Sequence, residues 1–193
     1  MNTKMNRLPV PTWNHLGVNF APAAAALPEV PANGWGTANA TAAVPAGIRT
    51  NGPASEIFDT FAESGMGVAA DAFLAANANV KEHIAVGEGA AIETPAVLEV
   101  KLDEGHPYAL SYLTIDAAKN SALTVVQVLR GDAENGVAAS LVRINVAEGA
   151  HVKLVQVQLL GNSARRWGAV AIQQAEGSHV EQVRIELGGS VSA

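Results

Sequence analysis

Apolar and polar residues alternate through the second half of the chain, in runs at 97–102, 123–130, 152–160 and 180–187. Each run follows a small-residue turn. The clearest turns are Glu148-Gly149-Ala150-His151-Val152 and Glu176-Gly177-Ser178-His179-Val180, 28 residues apart. An earlier copy is Glu88-Gly89-Ala90-Ala91-Ile92, and a degraded one is Lys119-Asn120-Ser121-Ala122-Leu123. A second set of runs, at 108–115, 138–146 and 167–174, lies midway between the first. A fixed period of this length marks stacked supersecondary units.

Side chains on a strand point alternately to opposite faces, so period 2 means one buried and one wet face. In the first set, Leu98, Val100 and Leu102 share a parity. One period on come Val126 and Val128, then Val155, Val157 and Leu159, then Val183, Ile185 and Leu187. Between them stand Glu99, Lys101, Gln127, Gln156, Gln158, Gln182, Arg184 and Glu186. This reading sends the aliphatic set inward and the glutamines to solvent. In the second set, Leu113 and Ile115 register with Val142, Ile144 and Val146, then Val170 and Ile172, leaving Thr114, Arg143, Asn145 and Gln173 outside. Like residues recur at a full period rather than a half period. That predicts an all-β chain folded as a parallel β-helix of about 28–30 residues per turn, with each wall supplying the crossover for the other. A β-sandwich of antiparallel hairpins is the competing fold.

The first part reads differently. Residues 1–79 form an irregular, short-helical segment that caps the solenoid, and the rungs occupy 80–193. Pro9 and Pro11 impose an extended entry, and Thr12 caps a turn through Trp13 and Leu16, with Trp13 as a packing anchor. Residues 21–56 show neither period, and Trp35 between two glycines reads as a docking side chain. A short helix is expected at 56–66. A better one at 68–78 has Phe73 and Leu74 on its apolar side and is a candidate cap over the first rung.

The net charge of −6 argues against nucleic acid and anionic membrane surfaces. Arg165-Arg166 is expected in a solvated turn. With no cysteine among the 193 residues, disulfides and thiolate-held zinc or iron–sulfur clusters within this chain are excluded. No apolar run is long enough for a transmembrane helix and no secretory signal is visible, so the expected location is cytoplasmic.

Candidate chemistry is sparse. His151 and His179 share a repeat position and should stack about 5 Å apart. Ala122 and Ala91 occupy the earlier copies, so no third ligand joins them, and no metal-binding residue is assigned. Glu88, Glu148 and Glu176 stack as turn residues, which needs no catalytic explanation; no catalytic residue is assigned and the chain is read as not an enzyme. A polysaccharide-active β-helix would need a carboxylate-lined groove. The strand after Gly177 is the last rung, a row of backbone groups able to template another chain. Either a partner covers it or the sequence stops short of further rungs; in the first case Val180, Gln182, Arg184 and Glu186 are the expected partner interface.

Several phrases also carry a resemblance. Pro11-x-Trp13-x-x-Leu16-x-Val18-Asn19, the segment 71–78 around Phe73 and Leu74, and Val86-Gly87-Glu88-Gly89 followed by Ile92-Glu93-x-Pro95 resemble, in that order, phrases of the SufB/SufD family of iron–sulfur cluster assembly proteins. The rung phrases Gly-Ala-His-Val and Glu-Leu-Gly-Gly are similar to the family's style and favour the SufD branch. The resemblance implies a right-handed parallel β-helix acting as a non-catalytic scaffold subunit, working with a SufB-like chain and a SufC-like ATPase, or with a second SufD-like chain. It also implies an iron–sulfur cluster, and in some complexes reduced flavin, at the level of the complex, with no cofactor held by this chain. The family continues with further rungs and a C-terminal helical segment that this sequence lacks, so no cluster ligand carries over to any position here. A self-associating structural solenoid is the remaining alternative.

Overall fold

A computed structural model describes residues 30–31, 34–50, 58, 61 and 63–192. The turn at 12–16, with Trp13, and residues 56–57, 59–60 and 62 of the segment 56–66 lie outside these. The rung strands are β3 (Val80–Val86), β4 (Ala96–Leu102), β5 (Tyr108–Ala117), β6 (Ala122–Gly131), β7 (Val137–Val146), β8 (His151–Leu160), β9 (Arg165–Gln174), β10 (His179–Glu186) and β11 (Val191–Ser192). Before them come β1 (Asn39–Ala43), β2 (Ile48–Arg49) and one helix, α1 (Val68–Asn77). The first sheet has the order β1-β4-β6-β8-β10 and the second β11-β9-β7-β5-β3-β2. All rung-to-rung pairs are parallel, giving a parallel β-solenoid of about 4 turns.

The turns explain why the repeat is legible. Gly89, Asn120, Gly149 and Gly177 occupy equivalent places, with φ of 68°, 55°, 67° and 66°. Glycine takes this left-handed conformation freely, and asparagine is among the few other residues that tolerate it. The degraded copy at Lys119-Asn120 is thus conformationally intact. The turns also ladder: Gly89 N donates to Lys119 O (2.9 Å) and Asn120 N to Glu148 O (3.0 Å). Their backbone groups are satisfied by the next rung as well as by the turn itself.

The second sheet follows the expected register. Leu113, Val142 and Val170 align, as do Ile115, Ile144 and Ile172, with all facing the main apolar core. In the first sheet the expectation holds for β4, where Leu98, Val100 and Leu102 are buried, and is overturned in β6, β8 and β10. Leu98 pairs with Gln127, and Gln127 with Gln156, so the step is 29 residues where 28 was assumed. Leu123, Val125, Gln127 and Leu129 are buried, as are Val152, Leu154, Gln156, Gln158 and Leu160. Val126, Val128, Val155 and Val157 are only half-buried and face outward. Period-2 parity inverts with a one-residue slip, so this error exchanged the two faces of those three strands.

The helix differs from expectation in its place. It does not cover the end of the stack; it lies against the outer face of β5 and β7. Ala70 and Leu74 pack there with Leu110, Leu141 and Trp167, and Trp35 makes edge contacts with Phe73 and Tyr108 at ring separations of 6.1 and 5.2 Å. Inside this first layer, buried Asp71 accepts hydrogen bonds from the backbone N–H (2.7 Å) and hydroxyl of Ser64. Asn79 splices α1 to the sheet, accepting from Leu110 N (2.8 Å) and donating to Tyr108 O (3.0 Å). At the start of the stack it is β1 and β2 that pair, antiparallel, with β4 and β3. These two strands fall in the stretch read as irregular.

Candidate functional site at the last rung

Along the solenoid axis the interior becomes steadily more polar. One inward row reads Leu98, Gln127, Gln156, Arg184 from β4 to β10. The neighbouring row reads Val100, Leu129, Gln158, Glu186. A third, on the opposite wall, reads Ala109, Ala138, Arg166. An apolar layer is thus converted over three rungs into a charged one.

The polar groups inside are paired with each other. Gln127 Nε2 donates to Ser111 Oγ (3.2 Å) and Ser140 Oγ (3.0 Å), while its Oε1 accepts from Gln156 Nε2 (2.8 Å). The chain of amides continues from Gln182 Nε2 to Gln156 Oε1 (3.3 Å). Gln158 clasps the segment after β10, donating to Gly188 O (3.0 Å) and accepting from Leu187 N (3.1 Å). A buried amide that is left unpaired is costly, whereas a connected set is tolerated and restricts the register.

At the top of this column sits Arg166, 1 % exposed. Its Nη1 lies 2.9 Å from Glu186 Oε1, and Arg184 Nε lies 3.7 Å from the same oxygen. Its Nε is buried without a hydrogen-bond partner. Burial pulls the guanidinium down to about 10; Arg184 pushes the same way and Glu186 opposes. Gly168 makes room for it, since a Cβ there would lie 2.6 Å from Arg166 Nη2. The expected solvated turn at Arg165-Arg166 is therefore wrong: both residues begin β9, Arg165 lies 5.4 Å over the Trp167 ring, and Arg166 points into the interior. The signal was available in the inward parity of Val170 and Ile172, which extends back through 168 to 166.

The four expected interface residues share the inward parity of β10. Gln182, Arg184 and Glu186 all join the polar column, rather than facing outward as the mistaken register required. Gln182 and Arg184 also border a cleft of about 460 Å³ with Gly65, Met66, Gly168, Ala169 and Val170. The other candidates stand apart. His151 and His179 are paired in register with ring centroids 5.8 Å apart, in the open on the outer wall. Glu148 is ion-paired with Lys119 at 3.0 Å in an exposed turn. Among the described residues no group of three or more His, Cys, Asp or Glu is placed to hold a metal ion, and no helix is long and apolar enough to cross a membrane. A layer of amides, two guanidiniums and a carboxylate is suited to hydrogen bonding and ion pairing with a further protein layer; it has no nucleophile–base pair.

No curated protein and no solved structure matches this chain. Residues 100–193, which carry the polar column and every rung from the end of β4 onward, match the family described as SUF system FeS cluster assembly, SufBD core domain, and that match supports the SufB/SufD family and a role in iron–sulfur cluster assembly.

Proposed function

We propose that this chain is a SufD-like, non-catalytic scaffold subunit of a cytoplasmic SUF-type assembly complex, acting with a SufB-like scaffold and a SufC-like ATPase. The match of residues 100–193 carries this reading. The geometry supports it through the last rung, where Gln182, Arg184 and Glu186 turn a polar, partly ion-paired layer toward the next position in the stack. Backbone edges of this kind recruit a further strand, and the side chains of alternate residues set which strand fits. Val180, Gln182, Arg184 and Glu186 are accordingly assigned to the partner interface. Iron and sulfide are cargo in this reading. Without a cysteine these 193 residues supply no thiolate, so in this proposal the iron–sulfur cluster, and any reduced flavin, is placed at the level of the complex and no ligand is assigned to this chain.

The test is co-purification with SufB-like and SufC-like chains from one host, read by intact-complex mass. A complex containing this chain is expected, and Arg184→Glu should weaken it at least tenfold while leaving the circular dichroism spectrum unchanged. Absence of any complex sinks the proposal. The alternative of a polysaccharide-active enzyme draws no support from the exposed, Lys119-paired Glu148.

A further inference from the structure

We propose that the outer wall of the first sheet docks a second copy of this chain, wall against wall. This surface is distinct from the last-rung edge and does not depend on the scaffold reading. The register stacks Val126, Val155 and Val183 in one outward row and Val128, Val157 and Ile185 in the next. Ile185 is 42 % exposed, and the flanking Leu159 is 44 % exposed. These two apolar rows run across the middle of the wall. On one side lies the Lys153–Glu181 pair (2.9 Å), and on the other Arg130, paired with Glu99 at 2.6 Å. An apolar centre bordered by charge is the anatomy of a protein interface.

The two walls of the solenoid are treated differently. The outer face of the second sheet is also apolar, and α1, Trp35 and Met66 cover it. Among the described residues the single helix lies on that wall, against β5 and β7, and the first sheet's wall keeps its valines half-exposed. Water-facing valine ladders of this extent mark an interaction surface.

Three features favour a second copy as the occupant. Among the described residues the wall is an untopped sheet face, and such faces pack on one another about 10 Å apart. Its charges are paired within each copy, Lys153 with Glu181 and Arg130 with Glu99, so two facing walls bring no unpaired like charge from these pairs into the contact. Its size also fits. Four strands of up to ten residues make a wall of roughly 33 by 19 Å, ~600 Å² a side. The total of ~1,200 Å² sits at the lower edge of stable interfaces, which implies a reversible dimer rather than an obligate one.

Sedimentation equilibrium of the full chain over about 1–200 μM tests this, with Val157→Glu and the double variant Val128→Glu/Val157→Glu beside the parent. The expected result is a mass rising from 19.8 kDa toward twice that value in the parent. Each variant should remain a monomer across the range, with its thermal midpoint unchanged. A parent that stays monomeric throughout overturns the proposal. So does a dimer that survives both wall variants but dissociates on Arg184→Glu, which would place self-association at the last rung. A monomer whose thermal midpoint drops on Val157→Glu also overturns it, because the wall would then be covered by this chain's own residues.

Discussion

The two walls of this solenoid solve the same problem with opposite residues. In the second sheet, apolar side chains dominate both faces: Ile115, Ile144 and Ile172 point into the core, while Leu110, Leu141 and Trp167 point out under α1. In the first sheet, glutamines share the interior with leucines and with Val100, Val125 and Val152, while Val126, Val128, Val155 and Val157 stand outside. Alternation along a strand reports that its faces differ, but not which face is inside. Valine is favoured on any pleated surface through its β-branch, whereas a glutamine can be buried if its amide is fully paired. The interior of the first sheet meets that condition through Gln127, Gln156, Ser111 and Ser140.

The largest effect that would sharpen this contrast comes from Trp167, fully buried between the second sheet and α1. Trp167→Ala should cost about 3–5 kcal/mol, read as a lower urea midpoint. Next is Gln127→Ala, which strands the Ser140 hydroxyl and the amide N–H of Gln156 in the interior, while Ser111 keeps its bond to Ala139 O; a loss of about 2–3 kcal/mol is expected. The matching change on the outer wall, Val128→Thr, should shift stability by less than about 0.5 kcal/mol. Were Val128→Thr the costlier of the two, the assignment of faces would be wrong.

The smallest effect is a pH dependence at the second sheet. Half-buried His83 accepts or donates one hydrogen bond to Thr114 (2.8 Å) and meets the Phe58 ring edge-on at 6.1 Å. Burial holds its imidazole below the ordinary value; Asp116 partly offsets this and Arg49 adds to it. The folded state therefore binds the proton less readily than the unfolded chain. Stability should be complete above the ordinary histidine range and fall as pH drops from about 6.5 through the lowered folded value. Thermal midpoints between pH 7.5 and 5 should decline less steeply in His83→Gln than in the parent. Equal slopes would remove His83 from the account.

Much of the architecture was legible because it is local. The turn conformation at Gly89, Asn120, Gly149 and Gly177 depends on one residue each, and the strand runs depend on alternation within about ten. From these the solenoid, its period and the register of the second sheet followed. The short strands β1 and β2 were not legible, since five and two residues carry too little pattern and exist by pairing with β4 and β3. The place of α1 was equally hidden, because its apolar side fits any apolar surface and only the outward Leu110, Leu141 and Trp167 select this one.

The candidate site divides in the same way. That Val180, Gln182, Arg184 and Glu186 share one face of one strand is a matter of period 2, and the sequence alone determines it. That this face looks into the solenoid, against Arg166 arriving from the opposite wall, was decided by the tertiary structure. The reason is physical. Burying a glutamine or an arginine is unfavourable for each residue taken singly and is offset only by partners one rung or one wall away, 13 to 29 residues along the chain. Such compensation has no signature in the strand that carries the polar residue.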